Sequence, residues 1–426
     1  MDLPRLHVAR AARFNQPAAD VWARIGTFDD VTWMPGVDHV NNLEQGRVRE
    51  VHLQGGALPV TEQLITSTAR SMTFAFSDPG PLPVADYLAT LRVHDDGDGS
   101  VVTWSAQFAA RGGEEEAARS QMAGWYEACL RNAGGDLLSP LSLNVYVSDY
   151  KPISAAVPAW QSPAPATWPA STATLIAGIT DAVLIDALIT VKEVSELVDW
   201  IRASGKNLTT VYVTHGHADH FLGLAAVLAA FPGATAVTLP EVMPFADEQL
   251  SDGYLAYWRS LFPDQLPETA VGPTPMTSDH IDLEGHTLVP IPVGQSDTDP
   301  SSVVYIRDLD AVAGGDVIYN GIHPWLAQTD LTKRKEWEAA IDIVDELNAS
   351  WVVTGHRDPA AQSDASAPLI TATRAYLRDF NTAAAQTDSE EALVSHMLER
   401  YPELGNPYTL TASAAAQFSK EKEATV

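Results

Sequence analysis

The chain has 426 residues, 46% of them hydrophobic, a mean hydropathy of -0.06 and a formal charge of -29. Such a length predicts two domains, each with its own core, and no apolar run approaches the roughly 20 residues that cross a bilayer. The acidity argues against nucleic acids and anionic membranes as partners, and a single cysteine, Cys129, excludes both a disulfide framework and a thiolate metal site.

The N-terminal "MDLPRLHVARAARF" contains no apolar core of a signal peptide, so the expectation is a cytoplasmic chain. Its alternating run "RLHVARAARF" reads as a strand, and "QPAADVWARIGTF" reads as a helix with Pro17 in its first turn. Strands are predicted at 71–77, 86–94 and 100–108, with "DDGDG" turning between the last two. A long helix, "EEEAARSQMAGWYEACLRNA", closes the segment, with acids at its positive end and apolar residues recurring from Met122 to Leu130. The order of elements is α+β.

That order, together with "PAADVWARIGTFDDVTWMPGV", resembles the START-like, Bet v 1-like superfamily of polyketide cyclase and lipid-binding domains over about residues 5–140. The resemblance implies a helix-grip fold, in which a curved antiparallel sheet wraps the last helix around an apolar cavity, and an apolar ligand as partner. The aromatic residues Trp33, Phe74, Phe76, Tyr87, Trp104 and Trp125 read either as the lining of that cavity or as plain core.

Residues 151–171 carry five prolines and read as a connector near the start of a second domain, 141–426. Beyond it, "TATLIAGITDAVLID" predicts two strands and "VKEVSELVDWIRASG" a helix ended by Gly205. The strand "TTVYV" runs into "HGHADH". Then come the helical "ADHFLGLAAVLAAF", the strand "TAVTL" and one long helical stretch over 241–262. Strands at "HTLVPIPV", "SSVVYIR" and "DAVAGG", a helix at "RKEWEAAIDIVDELNAS", the strand "WVVTG" and two further helices complete the chain. The alternation predicts sheets covered by helices.

His215, His217, Asp219 and His220 crowd into six positions directly after a strand, where one turn can aim several side chains at one point. Imidazole and carboxylate suit Zn²⁺, Fe and Mn. Here the residues resemble the HxHxDH motif of the metallo-β-lactamase superfamily, over about residues 142–420, and two later blocks agree: "VAGGDVIYNGIHP" and "VVTGHRDP". The resemblance implies an αββα sandwich holding one or two ions, Zn²⁺ in the first place. His215 and His217 would hold the first ion, Asp219, His220 and His356 the second, and Asp316 would bridge them.

One position departs from that pattern. Where a third histidine would complete the first site, this chain has Gln295, in "PVGQSDTD", an uncertain ligand and a weaker donor. His280 and His286 are the alternative ligands. Asp297 and Asp299 read as turn-capping residues or as supports for the ligands. Within the resemblance His323 would face the pocket, with Tyr319 and Trp325 as walls, and Tyr254, Tyr257 and Trp258 would cover it.

Taken together, the resemblance implies a metal-dependent hydrolase in which hydroxide formed at the centre attacks an ester, lactone, thioester or amide carbonyl, with Asp219 handling the water's proton. The small-molecule substrate is expected to be apolar or polyketide-like. Two other functions fit the same residues: a mononuclear iron oxygenase of the persulfide dioxygenase type, and a ligand-binding protein whose metal site is weakened by Gln295. The residues set no oligomeric state.

Overall fold

A computed structural model describes residues 5–56, 58–154 and 165–424. Its contacts divide the chain into two units, Met1–Leu143 with Arg307–Asp310, and Asn144–Ile306 with Ala311–Val426. Among the described residues no helix is long and apolar enough to cross a membrane.

The first unit begins with β1 (Arg5–Phe14) and α1 (Ala18–Ile25). There follow β2 (Val37–Leu43), β3 (Val48–Leu53), β4 (Val60–Ser67), β5 (Ser71–Asp78), β6 (Val84–Asp96) and β7 (Gly99–Ala110), then α2 (Glu115–Asn132) and β8 (Asp136–Leu137). The strands form one antiparallel sheet in the order β2-β3-β4-β5-β6-β7-β1-β8. β2, β3 and β4 have no counterpart in the predicted elements. β2 keeps both faces largely in water, and half of β4 is exposed, so neither shows the apolar alternation that signals a strand.

α2 lays Met122, Tyr126, Cys129 and Leu130 on the sheet, within one buried apolar cluster. The aromatic residues of this unit pack on one another. Trp104 stacks on Tyr126 with ring centroids 4.6 Å apart, Trp33 tilts against Trp104 at 5.7 Å, and Tyr87 stacks on Phe76 at 3.7 Å. The hydroxyls of Tyr87 and Tyr126 bond to each other at 2.7 Å. Of the two readings of these rings, the contacts are those of a core. A buried cation nearby is satisfied: Arg49 bonds the Glu62 carboxylate and the Phe28 carbonyl, with its guanidinium 4.2 Å above the Phe28 ring.

The second unit has two sheets. The first holds β9 (Ser142–Val147), β12 (Thr172–Ala177), β13 (Asp181–Ile185), β14 (Asn207–Tyr212), β15 (Thr235–Thr238) and β16 (Thr274–Pro275), in the order β16-β15-β14-β13-β12-β9. The second holds β17 (Ile281–Leu283), β18 (His286–Gly294), β19 (Ser301–Ile306), β20 (Ala311–Ala313) and β21 (Trp351–Val353), in that order. Hydrogen bonds join the sheets, Tyr212 OH to Ser302 Oγ at 2.8 Å and Thr172 Oγ1 to the Thr354 carbonyl at 2.6 Å.

On the outer face of the first sheet lie α3 (Val191–Ala203) and α4 (Leu224–Ala230), packing Leu197, Ile201, Leu224 and Val227 against Leu175, Leu184 and Val211. α7 (Leu331–Glu346) and α8 (Ser366–Gln386) cover the second sheet through Trp337, Ile341, Leu377 and Phe380. The layers are helix, sheet, sheet, helix.

Three predicted boundaries are corrected. The stretch "ADHFLGLAAVLAAF" is helical only from Leu224, because residues 218–220 form a single tight turn that keeps Asp219 and His220 pointing at the site. The long stretch over 241–262 breaks into α5 (Met243–Gln249) and α6 (Asp252–Leu261), since the Ser251 side chain accepts from Tyr254 N and starts a new helix. After α8 come two more helices, α9 (Glu390–Arg400), capped by Ser389, and α10 (Pro407–Ala424), where one was expected. The middle of the Pro-rich connector, 155–164, lies outside the described residues. Its flanks are not loose linkers: β10 (Lys151–Pro152) pairs antiparallel with β11 (Thr167–Trp168).

Candidate metal centre and cavity

Strand ends of both sheets in the second unit deliver the candidate ligands. His215 follows β14, Asp219 and His220 occupy the tight turn after it, Asp316 follows β20, and His356 follows β21. All are buried. Among the described residues three groups of donors lie close enough to hold a cation: Asp219, His220 and His356; His215, His220 and Asp316; and His215, His217 and Asp297. His356 Nε2 is 3.4 Å from Asp219 Oδ2 and 3.2 Å from Asp316 Oδ2, while His220 Nε2 is 3.3 Å from Asp316 Oδ1. Asp316 therefore reaches toward a histidine with each of its oxygens.

The third group corrects the sequence reading. Asp297, not Gln295, meets the two leading histidines, with Oδ2 at 2.7 Å from His217 Nδ1 and 3.8 Å from His215 Nε2. Gln295 turns its amide nitrogen to its neighbour's carbonyl, Ser296 O, at 2.7 Å. β18 ends at Gly294, and the two-residue step from 295 to 297 lets the loop present the acid instead. A carboxylate is a charged donor, so this position is not the weak point that an amide would make it. Neither His280 nor His286 belongs to any of the three groups.

The donor atoms fit a cation. His215 Nε2, His220 Nε2, Asp297 Oδ2 and Asp316 Oδ1 are buried and have no hydrogen-bond partner outside their own cluster. Four such atoms converging in one place would be costly unless a further group satisfied them. The opposite nitrogen of each imidazole is already engaged. His220 Nδ1 lies 2.9 Å from Asp186 Oδ2, His215 Nδ1 3.0 Å from Thr214 Oγ1, and His356 Nδ1 3.1 Å from the Ala170 carbonyl; His217 Nε2 meets Gln328 Oε1. Such outer contacts fix each ring so that its free nitrogen faces the site. Mixed imidazole and carboxylate donors suit Zn²⁺, Fe or Mn.

The electrostatics fit as well. Burial disfavours protonated His220 and His356, but the carboxylates of Asp316 and its neighbours outweigh it, raising them to about 9 and about 10. His215 goes the other way, to about 4, through burial and the charge of His220. Burial would raise Asp219 and Asp316, yet the surrounding imidazoles hold both well below the usual carboxylate range. Positive charge is wanted here, and a cation supplies what protons otherwise would. Gly355 is obligatory at this point, because a Cβ there would stand 2.3 Å from Asp316 Oδ1 and 2.8 Å from the His220 ring.

The remaining predicted residues divide. Trp325 lines a cavity that opens onto Asp219, Asp297, Asp316 and His356. Tyr254, Tyr257 and Trp258 line it too. His323 is not on its wall. It is fully buried, with Nδ1 2.9 Å from Tyr376 OH on α8, and burial lowers it to about 4. Tyr319 likewise walls nothing: its hydroxyl donates to Asp316 Oδ2 at 2.7 Å, and its ring lies between Trp337 and His356. Both side chains point inward because their segment passes under α7 and α8 rather than over the cavity.

Three contributors carried no usable signal. Asp186 follows β13 as one acid among 55 Asp and Glu residues, yet it bonds Thr214 N at 2.9 Å as well as His220. Trp168 sits in the stretch read as a connector, yet its indole N–H donates to Asp219 Oδ2 at 2.8 Å. Gln328 lies in a loop between elements. The strand-end position of Asp186, shared with His215 and His356, was the one available clue.

Residues 166–356 match the family model described as the metallo-beta-lactamase superfamily, and residues 5–134 match the model described as polyketide cyclase / dehydrase and lipid transport. The chain thus joins a polyketide cyclase-like segment to a segment of the metallo-β-lactamase superfamily. Among solved structures, a metallo-beta-lactamase from Pontibacter korlensis is 20% identical, covering 56% of this chain and 99% of its own, with a TM-score of 0.42. A metallo-beta-lactamase family protein from Thermus thermophilus is 16% identical over 66% of this chain and 94% of its own, with a TM-score of 0.45. The protein XoxI from Bacillus cereus is 26% identical over 30% of this chain and 92% of its own, with a TM-score of 0.29. No curated protein matches.

Proposed function

We propose that the second unit is a metal-dependent hydrolase that opens an ester, lactone, thioester or amide carbonyl. The observation that carries this reading is the convergence of four buried donor atoms without a partner outside their own cluster, His215 Nε2, His220 Nε2, Asp297 Oδ2 and Asp316 Oδ1, beside a cavity open to small molecules. His215, His217 and Asp297 would hold one ion, Asp219, His220 and His356 a second, with Asp316 between them. When bound, such ions polarise a carbonyl oxygen and acidify a water near neutral pH.

The chain's own residues do the rest. Asp219, anchored through Oδ2 by the Trp168 indole, orients the attacking water and receives its proton. Asp186, Thr214, Gln328 and the Ala170 carbonyl hold the four imidazoles in fixed tautomers, so that little reorganisation is needed at the moment of reaction. The aromatic wall excludes water from the far side of the substrate.

The test is elemental analysis of the full chain beside a panel of chromogenic esters, lactones, thioesters and amides. Turnover that is lost on chelation and regained with zinc or manganese supports the reading. A fully metal-loaded chain that turns over none of the panel overturns it, and iron as the sole metal with oxygen consumed would move the assignment to the oxygenase class.

A further inference from the structure

Resting on the hydrolase reading, we propose that the substrate is an uncharged molecule carrying an aromatic or alicyclic ring, and that the cavity selects against substrates bearing a negative charge away from the reacting carbonyl. The cavity holds about 500 Å³, in the range that takes a molecule of drug size. Beyond the candidate metal ligands its wall includes Trp168, Trp258, Trp325, Tyr254 and Tyr257.

The three indoles are packed in place before any ligand arrives. Trp168 stands edge-on to Trp258 with centroids 5.2 Å apart and tilts against Trp325 at 5.3 Å, and Trp258 packs on Phe262 at 6.1 Å. A preformed aromatic wall loses little entropy on binding and recognises flat apolar surface.

Several polar atoms of the wall are already used. The Trp168 N–H donates to Asp219, and the Trp258 N–H donates to Gln249 Oε1 at 2.8 Å. Gln328 Oε1 is engaged by His217, and Thr409 Oγ1 donates to the His323 carbonyl at 2.7 Å. What remains for a ligand is ring face, the neutral Tyr254 and Tyr257 hydroxyls and the centre itself.

Charge decides the sign of the selection. Among the described residues no lysine or arginine lines the cavity, and beyond the candidate ligands Glu248 is its one charged side chain. A carboxylate or phosphate on the distal part of a substrate would meet stacked rings and a like charge, with no cation to pair it. Leaving an anion unpaired in such surroundings is unfavourable, whereas a neutral ring loses nothing.

The experiment uses the full metal-loaded chain and two matched pairs of compounds. In turnover, 2-naphthyl acetate is compared with 6-carboxy-2-naphthyl acetate. In calorimetric binding, the hydrolysis-inert 2-acetylnaphthalene is compared with 6-acetyl-2-naphthoate. The neutral member of each pair is expected to be favoured at least tenfold, in kcat/KM and in affinity. Tyr257→Ala, at a half-exposed position of the wall, is expected to weaken 2-acetylnaphthalene at least threefold with metal content unchanged. If nothing is hydrolysed but the binding preference holds, the hydrolase reading falls and the selectivity stands. Equal or tighter binding of the charged partner overturns the proposal, as does binding that Tyr257→Ala leaves untouched.

Discussion

Each unit of this chain buries a cluster of aromatic rings beside a set of buried polar groups, and the two clusters end differently. In the first unit Trp33, Trp104, Tyr87 and Tyr126 close on one another, and the buried Arg49 finds Glu62 and Phe28. In the second, Trp168 stands edge-on to Trp258, tilts against Trp325 and leaves a space, while imidazole and carboxylate atoms beside it have no hydrogen-bond partner outside their own cluster. Residue type is shared; a set of imidazole and carboxylate donors aimed at one point is not, although the first unit also leaves buried atoms such as Trp33 Nε1 and Trp104 Nε1 without a hydrogen-bond partner. A buried polar group with a partner within the fold contributes to stability, and several without one, aimed at the same point, mark a place where something else must bind.

That contrast can be broken most sharply at Asp297. Asp297→Ala should empty the first site, removing its ion from the metal count and most activity with it, whereas Gln295→Ala should leave the metal count unchanged. Equal losses in the two variants would return the ligand role to Gln295. In the first unit the reverse is expected. Trp104→Ala should cost about 3–5 kcal/mol of stability by opening a cavity in a packed core, while the full chain keeps its bound metal; urea unfolding and elemental analysis read the two separately.

A smaller effect is expected from the supports of the centre. Asp186→Asn keeps the shape but removes the charge facing His220 Nδ1, and metal affinity should fall about 10–100-fold, measurable by competition with a chelator. The smallest effect concerns pH. Burial, aided by the Arg92 charge, lowers His94 to about 4, below its value near 6.5 in an unfolded chain. The folded unit therefore refuses a proton that the unfolded chain accepts, so the contribution is whole above pH 6.5 and is lost as the pH falls toward 4. At pH 5 this amounts to about 1–2 kcal/mol. His94→Gln should make the urea midpoint fall less steeply between pH 7 and pH 5, and an unchanged slope would show that His94 titrates normally.

Much of the architecture was legible in local pattern. The strand β14 and the turn after it announced His215, His217, Asp219 and His220 within one short stretch, and the long α2 and the β5 to β7 meander were visible from periodicity. β2 and β4 escaped because their exposed residues erase the alternation, and α5 and α6 merged because a single serine cap separates two apolar runs.

By itself the sequence determined which chemistry this chain can hold. With one cysteine and a crowd of histidines and acids after one strand, only nitrogen and oxygen donors were available, and residue type alone settles donor type. Tertiary structure decided which atoms meet. Gln295 and Asp297 are two positions apart, Tyr319 and Trp325 six, and pattern cannot rank them, because the direction of a loop side chain depends on the packing beneath it. Trp168 and Asp219, 51 residues apart, share a hydrogen bond only because strands from different stretches of chain end side by side. Convergence over such separations is set by how the two sheets stack, and no local preference encodes it.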